Sequence, residues 1–146
     1  GHDWACSRDA IERLHAAGIQ CAVHVIFGLP GETESDYHLT AVKLSQLPIA
    51  GIKFHNLHVV RNTELGAAYL AKPFPLLDEH DYAEAVIDAI RLMPPEIPIM
   101  RLQTDTASDA LLAPHWQMKK GQFIDYVERQ MLKRGLRQGD LRGDEG

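Results

Sequence analysis

Cysteine is scarce in this 146-residue chain, which has only Cys6 and Cys21. Two thiols fifteen positions apart make neither a disulfide framework nor a four-thiolate metal site, and Cys21 lies in an apolar run where a free thiol packs as a small hydrophobe. That usage fits a reducing compartment, and a cytoplasmic location is expected. Long hydrophobic runs are lacking too. None approaches the ~20 residues needed to cross a bilayer, so no membrane partner is expected. The first residues do not show the basic-then-apolar order of a secretory signal. The chain opens at Gly1 without an initiator Met, and it is read as a fragment of a longer protein.

Positive charge is in deficit, with 15 Lys and Arg against 20 Asp and Glu for a net charge of −5. That balance gives no support to a nucleic-acid partner, although a local basic site is compatible with it. Low-complexity linkers and internal repeats are absent. What is present, 45% apolar and 24% charged residues over the length of one ordinary domain, is the composition of a globular protein with one moderate core.

Hydrophobic periodicity divides the chain into alternating helices and strands. Asp3 or Ser7 caps a first helix with Ala10, Ile11, Leu14 and Ala17 on one stripe, and Gly18 stops it. Ile19 to Phe27 is almost wholly apolar and β-branched, as in a parallel strand covered on both faces, with His24 the exception. Thr33, with Asp36 three residues on, opens a second helix with a face of Tyr37, Ala41, Leu44 and Leu47, stopped by Pro48. Gly51 to Val60 reads as a second strand. Asn62 or Thr63 begins a short helix to Leu70, Asp78 caps a longer one carrying Tyr82, Val86, Ala89 and Met93, and Ile97 to Asp105 reads as a third strand. A last helix over 117–134, with Ile124, Val127 and Met131 inward, ends at Gly135; residues 136–146 are expected to form a disordered tail after a folded region of 1–135.

This order predicts α/β architecture with parallel strands. Three parallel strands alone leave two open edges, which suits a piece of a larger barrel. In a parallel barrel the outward side chains meet helices and the inward ones fill the lumen. Alternation then sends Ile52, Phe54, Met100 and Leu102 to the helices, and Lys53, His55, Arg101 and Gln103 inward, with His24 sharing a face with Ala22 and Ile26. Unpartnered burial would cost Lys53 and Arg101 several kcal/mol each, so either local carboxylates pair with them or an anionic ligand does. The histidines His24, His55 and His58 invite a zinc hydrolase reading. However, His55 and His58 fall on opposite faces of an unbroken strand and no acid or thiolate recurs at ligand spacing, so no metal site is expected. The loop GLPGE, Gly28 to Glu32, lacks both the GK[ST] of a P-loop and the third glycine of a dinucleotide fingerprint; it is a weak phosphate cradle or a tight turn.

Three stretches together, HVIFGLPGET (24–33), GIKFHNLHVVRNTEL (51–65) and RLQTDTASDALLAPHW (101–116), resemble the C-terminal half of a radical S-adenosylmethionine protein. The likeness is nearest a YhcC-like subfamily and extends to the Elp3-like branch, covering all but the last residues. It implies the second half of a partial (β/α)6 TIM-like barrel, with parallel βα units and a C-terminal helix. It also implies two cofactors held at the carboxyl ends of the strands, S-adenosylmethionine and a [4Fe-4S] cluster. Ile26 and Gly28 match the family's I-x-G motif against the adenine, and Leu57, His58 and Val59 would lie beside the same ring. The family's acid falls one residue late, at Glu32, which is given no ligand role. No CxxxCxxC occurs in the chain, so the cluster is expected on the missing N-terminal half and the chain alone is expected to be inactive. His24, Lys53, His55, Arg101 and Gln103 are the expected substrate-binding residues for an unidentified small molecule. The alternative is a non-catalytic α/β module that binds a small ligand or a partner.

Overall fold

The computed structural model describes residues 3–107 and 109–142. The Asp3 side chain accepts the Cys6 N–H at 2.9 Å and starts α1 (Trp4–Ala16). Gly18, at φ 73°, turns the chain toward β1 (Ala22–Phe27). The strand begins three residues later than its apolar run, and Ile19 is 54% exposed. Next come α2 (Glu34–Ser45), where the Asp36 carboxylate reaches back to the Thr33 N–H at 2.7 Å, and β2 (Gly51–Asn56). The expected strand 51–60 breaks at Leu57 and His58 and resumes as β3 (Val59–Val60). After α3 (Glu64–Ala71) and α4 (Glu79–Leu92), the third expected strand is reduced to β4 (Ile99–Arg101). β5 (Leu111–Ala113) lies between the third expected strand and the last expected helix, and α5 (Lys120–Arg134) closes at Gly135, φ 67°.

The strands β1, β2 and β4 form one parallel sheet in that order. β3 and β5 pair antiparallel as a separate ribbon. Val25, Phe27, Ile52 and Phe54 turn to the helix side and join Tyr37, Ala41 and Leu44 of α2 and Tyr82, Val86 and Ile90 of α4 in one core. Phe27 lies 4.9 Å from Tyr37 and 5.7 Å from Phe54, ring centre to ring centre. Phe123 and Val127 bring α5 onto the same core.

The other face of β1 is open: Ala22, His24 and Ile26 are exposed, so the strand is not covered on both sides as its composition suggested. The reading for Met100 also fails. Ile52 pairs with Ile99 while Lys53 pairs with Arg101, so Met100 is an extra residue in β4. A bulge of this kind reverses the in-out parity. Met100 is 52% exposed, and its Sδ would lie 2.7 Å from a Cβ at Gly51.

The start of the tail is held rather than disordered. The Gln138 side-chain amide donates to the Pro94 and Ile97 carbonyls at 2.6 and 2.7 Å, Arg91 pairs with Asp140 at 2.7 Å, and Leu136 and Leu141 pack on the core. Residues 143–146 of that expected tail lie outside the described residues. No described helix is long and apolar enough to cross a membrane.

Candidate functional site

Parallel pairing lays the polar residues of three strands side by side. His24 is in register with Lys53, and Lys53 with Arg101, giving one row of imidazole, ammonium and guanidinium across the open face. One pleat further along, Ile26 is in register with His55. The His55 Nε2 lies 3.1 Å from His24 Nδ1, and the two rings stack with centres 4.9 Å apart. Burial, then the charges of His24, Arg101, Lys53 and His58, hold the His55 pKa below its ordinary 6.5. Among the described residues no carboxylate lies within 4 Å of Lys53 or Arg101; the ion pairs formed are elsewhere. Of the two ways to satisfy these cations, the local carboxylate partner is not among the described residues.

At the carboxyl ends of the strands the loop after β1 is closed from within. The Glu32 carboxylate accepts the N–H groups of Gly28 and Leu29 at 3.2 and 2.8 Å. The carboxylate fills the place a bound phosphate would take, so GLPGE is a turn whose anion is built in. Gly28 (φ 94°) and Gly31 (φ 88°) hold the left-handed dihedrals that the turn requires. Leu57 sits against Gly28 and donates its N–H to the Phe27 carbonyl at 3.2 Å. Ile26 (47% exposed) and the half-buried Leu57 and His58 therefore gather around the strand ends. Val59 does not join them: it is fully buried and paired with Ala113. Behind this surface the space lined by Gly28, Leu57, Leu77, Tyr82 and Trp116 is only about 10 Å³, room for one water molecule at most.

Asn56 was not singled out from the sequence. It is 6% exposed, and its Oδ1 accepts the Thr104 N–H at 3.1 Å. That bond makes Nδ2 the donor, so His58 Nε2, 2.8 Å away, is the acceptor and the ring carries its proton on Nδ1. Burial holds the His58 pKa low, opposed by the charge of Asp105. A signal for Asn56 was available: it shares strand parity with Ile52 and Phe54, and a polar residue at core-facing parity marks a built hydrogen-bond site. Because the strand breaks at Leu57 and His58, the opposite-face argument for His55 and His58 does not apply. Among the described residues no group of three or more His, Cys, Asp or Glu is arranged to hold a metal ion. Gln103 departs from the open row as well: it is 3% exposed, and its Oε1 accepts no hydrogen bond.

A cavity of about 650 Å³ lies on the helix side and is lined by residues that include Tyr37, His38, Asp88 and Arg134. Two pairs of its charged groups are joined, His38 with Asp88 at 2.7 Å and Arg134 with Glu84 at 2.7 Å.

A parallel sheet with helices on one face and a row of imidazoles and cations on the other defines the class as α/β. The chain matches the archaeal Methanocaldococcus infernus Elp3 with N-terminus deletion (1-46) at a TM-score of 0.81 and 21% identity, over 94% of this chain and 32% of that one. It is 34% identical over 140 residues to the uncharacterized protein MJ0486 of Methanocaldococcus jannaschii, covering 95% of this chain and 44% of that protein. It is 29% identical to both the uncharacterized protein YtqA of Bacillus subtilis and protein YhcC of Escherichia coli, covering 94% and 98% of this chain and 43% and 46% of theirs. The chain thus spans less than half the length of these curated relatives. Residues 49–133 match the Radical_SAM C-terminal domain, and the chain belongs to that family.

Proposed function

We propose that this chain is the distal half of the barrel of a radical S-adenosylmethionine enzyme, contributing part of the adenine surface and much of the substrate side of the lumen. The observation that carries this reading is the uncovered sheet face, where His24, Lys53, His55 and Arg101 converge without a carboxylate partner among the described residues. The cofactors that family membership implies fit the chain unequally. The two thiols, exposed Cys6 on α1 and half-buried Cys21 before β1, fall short of the thiolate set of an iron–sulfur cluster, whose ligands belong to the rest of the parent protein. S-Adenosylmethionine does find a match here, because Ile26, Leu57 and His58 offer a partly exposed apolar and imidazole surface for a flat ring at the strand ends.

When bound, S-adenosylmethionine would supply hydrogen-abstracting radical chemistry, with one electron delivered by the parent protein's cluster and methionine as the leaving group. This chain's residues position and shield. Gly28, held by the Glu32-closed loop, and Leu57 would offer surface to the adenine, and the row of His24, Lys53 and Arg101 would orient the substrate.

The parent protein, reconstituted with iron and sulfide, is expected to cleave S-adenosylmethionine to 5′-deoxyadenosine under reducing conditions. Leu57→Glu is expected to weaken S-adenosylmethionine binding at least about tenfold by placing a charge against the ring. No cleavage by the parent refutes the enzyme reading and leaves a binding module. Unchanged affinity in the variant refutes the adenine surface.

A further inference from the structure

The chain as a whole has five more acids than bases, yet the open sheet face gathers bases and, among the described residues, no acid paired with them. Lys53 and Arg101 are register partners on neighbouring strands, about 4.8 Å apart at the backbone. Two like charges so placed repel each other, and neither has a described carboxylate within 4 Å. The acid whose charge reaches this region, Asp105, acts on His58 and not on His55.

The histidine pair adds a donor whichever way its proton lies. The bond between His55 Nε2 and His24 Nδ1 uses one N–H of the two neutral rings. The ring that accepts it keeps its own N–H on its other nitrogen, free to donate. An ammonium, a forked guanidinium and one imidazole N–H side by side match an oxyanion with several acceptor oxygens. Exposed Ile26 and Met100 supply apolar surface on the same face. Lys53 lies two residues before His55 along β2, about 6 to 7 Å further from the strand ends.

We infer that Lys53, Arg101 and the His24–His55 pair form an anion subsite for a small substrate bearing a carboxylate or phosphate, seated one pleat below the strand ends. The remainder of the molecule extends past Ile26 toward Gly28 and Leu57. This rests on the lumen reading above and deepens it by naming the substrate's chemical class.

The test uses the parent protein free of S-adenosylmethionine, titrated separately with inorganic phosphate and with succinate. Binding is read by calorimetry and by the ring ¹H–¹⁵N resonances of the histidines. Saturable binding is expected, with the His24 and His55 resonances moving and that of His38 on the helix side staying fixed; the tighter anion identifies the headgroup. Lys53→Gln combined with Arg101→Gln is expected to weaken binding at least about tenfold while S-adenosylmethionine affinity holds. The inference is overturned if the His24 and His55 resonances do not respond or if the double variant binds the anion equally well. Loss of S-adenosylmethionine affinity in the double variant overturns it too, since the pair then serves the cofactor's own carboxylate. Should the double variant not fold, the resonance titration of the unaltered protein decides. Anion binding here in a parent that takes up neither cluster nor S-adenosylmethionine would refute the enzyme reading and leave the subsite standing; the reverse pattern would overturn the subsite alone.

Discussion

Asn56 carries a bond on each side of its amide, which allows its replacement to be worked out in energy and in protonation. Asn56→Ala removes the acceptor of the Thr104 N–H and the donor to His58 Nε2, at 3.1 and 2.8 Å. Each lost hydrogen bond costs about 1 kcal/mol net, and groups left partly buried without partners add to that, for a total of about 2–4 kcal/mol. Asn56→Asp keeps the shape and the acceptor for Thr104 but offers His58 no donor. His58 then gains stability by taking a proton on Nε2 and pairing with the new carboxylate, so its pKa rises above the ordinary value. A raised folded pKa contributes stability that is present at low pH and lost as the pH climbs through it. The Asp variant should therefore lose less stability at pH 6 than at pH 8, the opposite trend from the parent. Urea unfolding at the two pH values gives the energies, and ring ¹⁵N shifts of His58 give the tautomer. A cost below about 1 kcal/mol for the Ala variant, or a parent His58 protonated on Nε2, would refute the reasoning.

Two further outcomes follow from the same geometry. Glu32→Ala frees the Gly28 and Leu29 N–H groups, and because the site is partly exposed the cost is about 1–2 kcal/mol; faster proteolysis within residues 28–32 is the readout, and an unchanged cleavage rate would contradict the built-in anion. His55 and His58 are both held below 6.5, mainly by burial, so the unfolded chain takes up protons first as the pH falls. Their contribution is therefore complete above about pH 7 and lost as the pH drops through 6.5 toward the lower folded values. The slope of unfolding free energy between pH 7 and about pH 5 should flatten when both are replaced by Gln, and an unchanged slope would refute the burial argument.

Local side-chain chemistry decided the helices and the turns. Asp3, Asp78 and Gly135 act where their side chains or dihedrals require, and the Tyr37, Ala41, Leu44 stripe buries as its spacing implies. The alternation of Ile52, Lys53, Phe54 and His55 was legible for the same reason: a strand's side chains repeat every two residues whatever lies around them. It placed Lys53 and His55 on one face of their strand, while the alignment of His24 with Lys53 came from the parallel pairing.

Pairing decided the rest. The bulge that moves Met100 to the open face arises between β2 and β4, two segments far apart in sequence, and no local pattern announces it. The break after Asn56 follows from the docking of Val59 and Val60 on β5, which gives the second half of the apolar run a different partner. The polar segment after Gly135 is held by the carbonyls of Pro94 and Ile97 and by Arg91, contacts that composition cannot foretell. The absence of any described carboxylate beside Lys53 and Arg101 is likewise a fact of tertiary structure, because a charge is paired or unpaired only by what folding brings within reach.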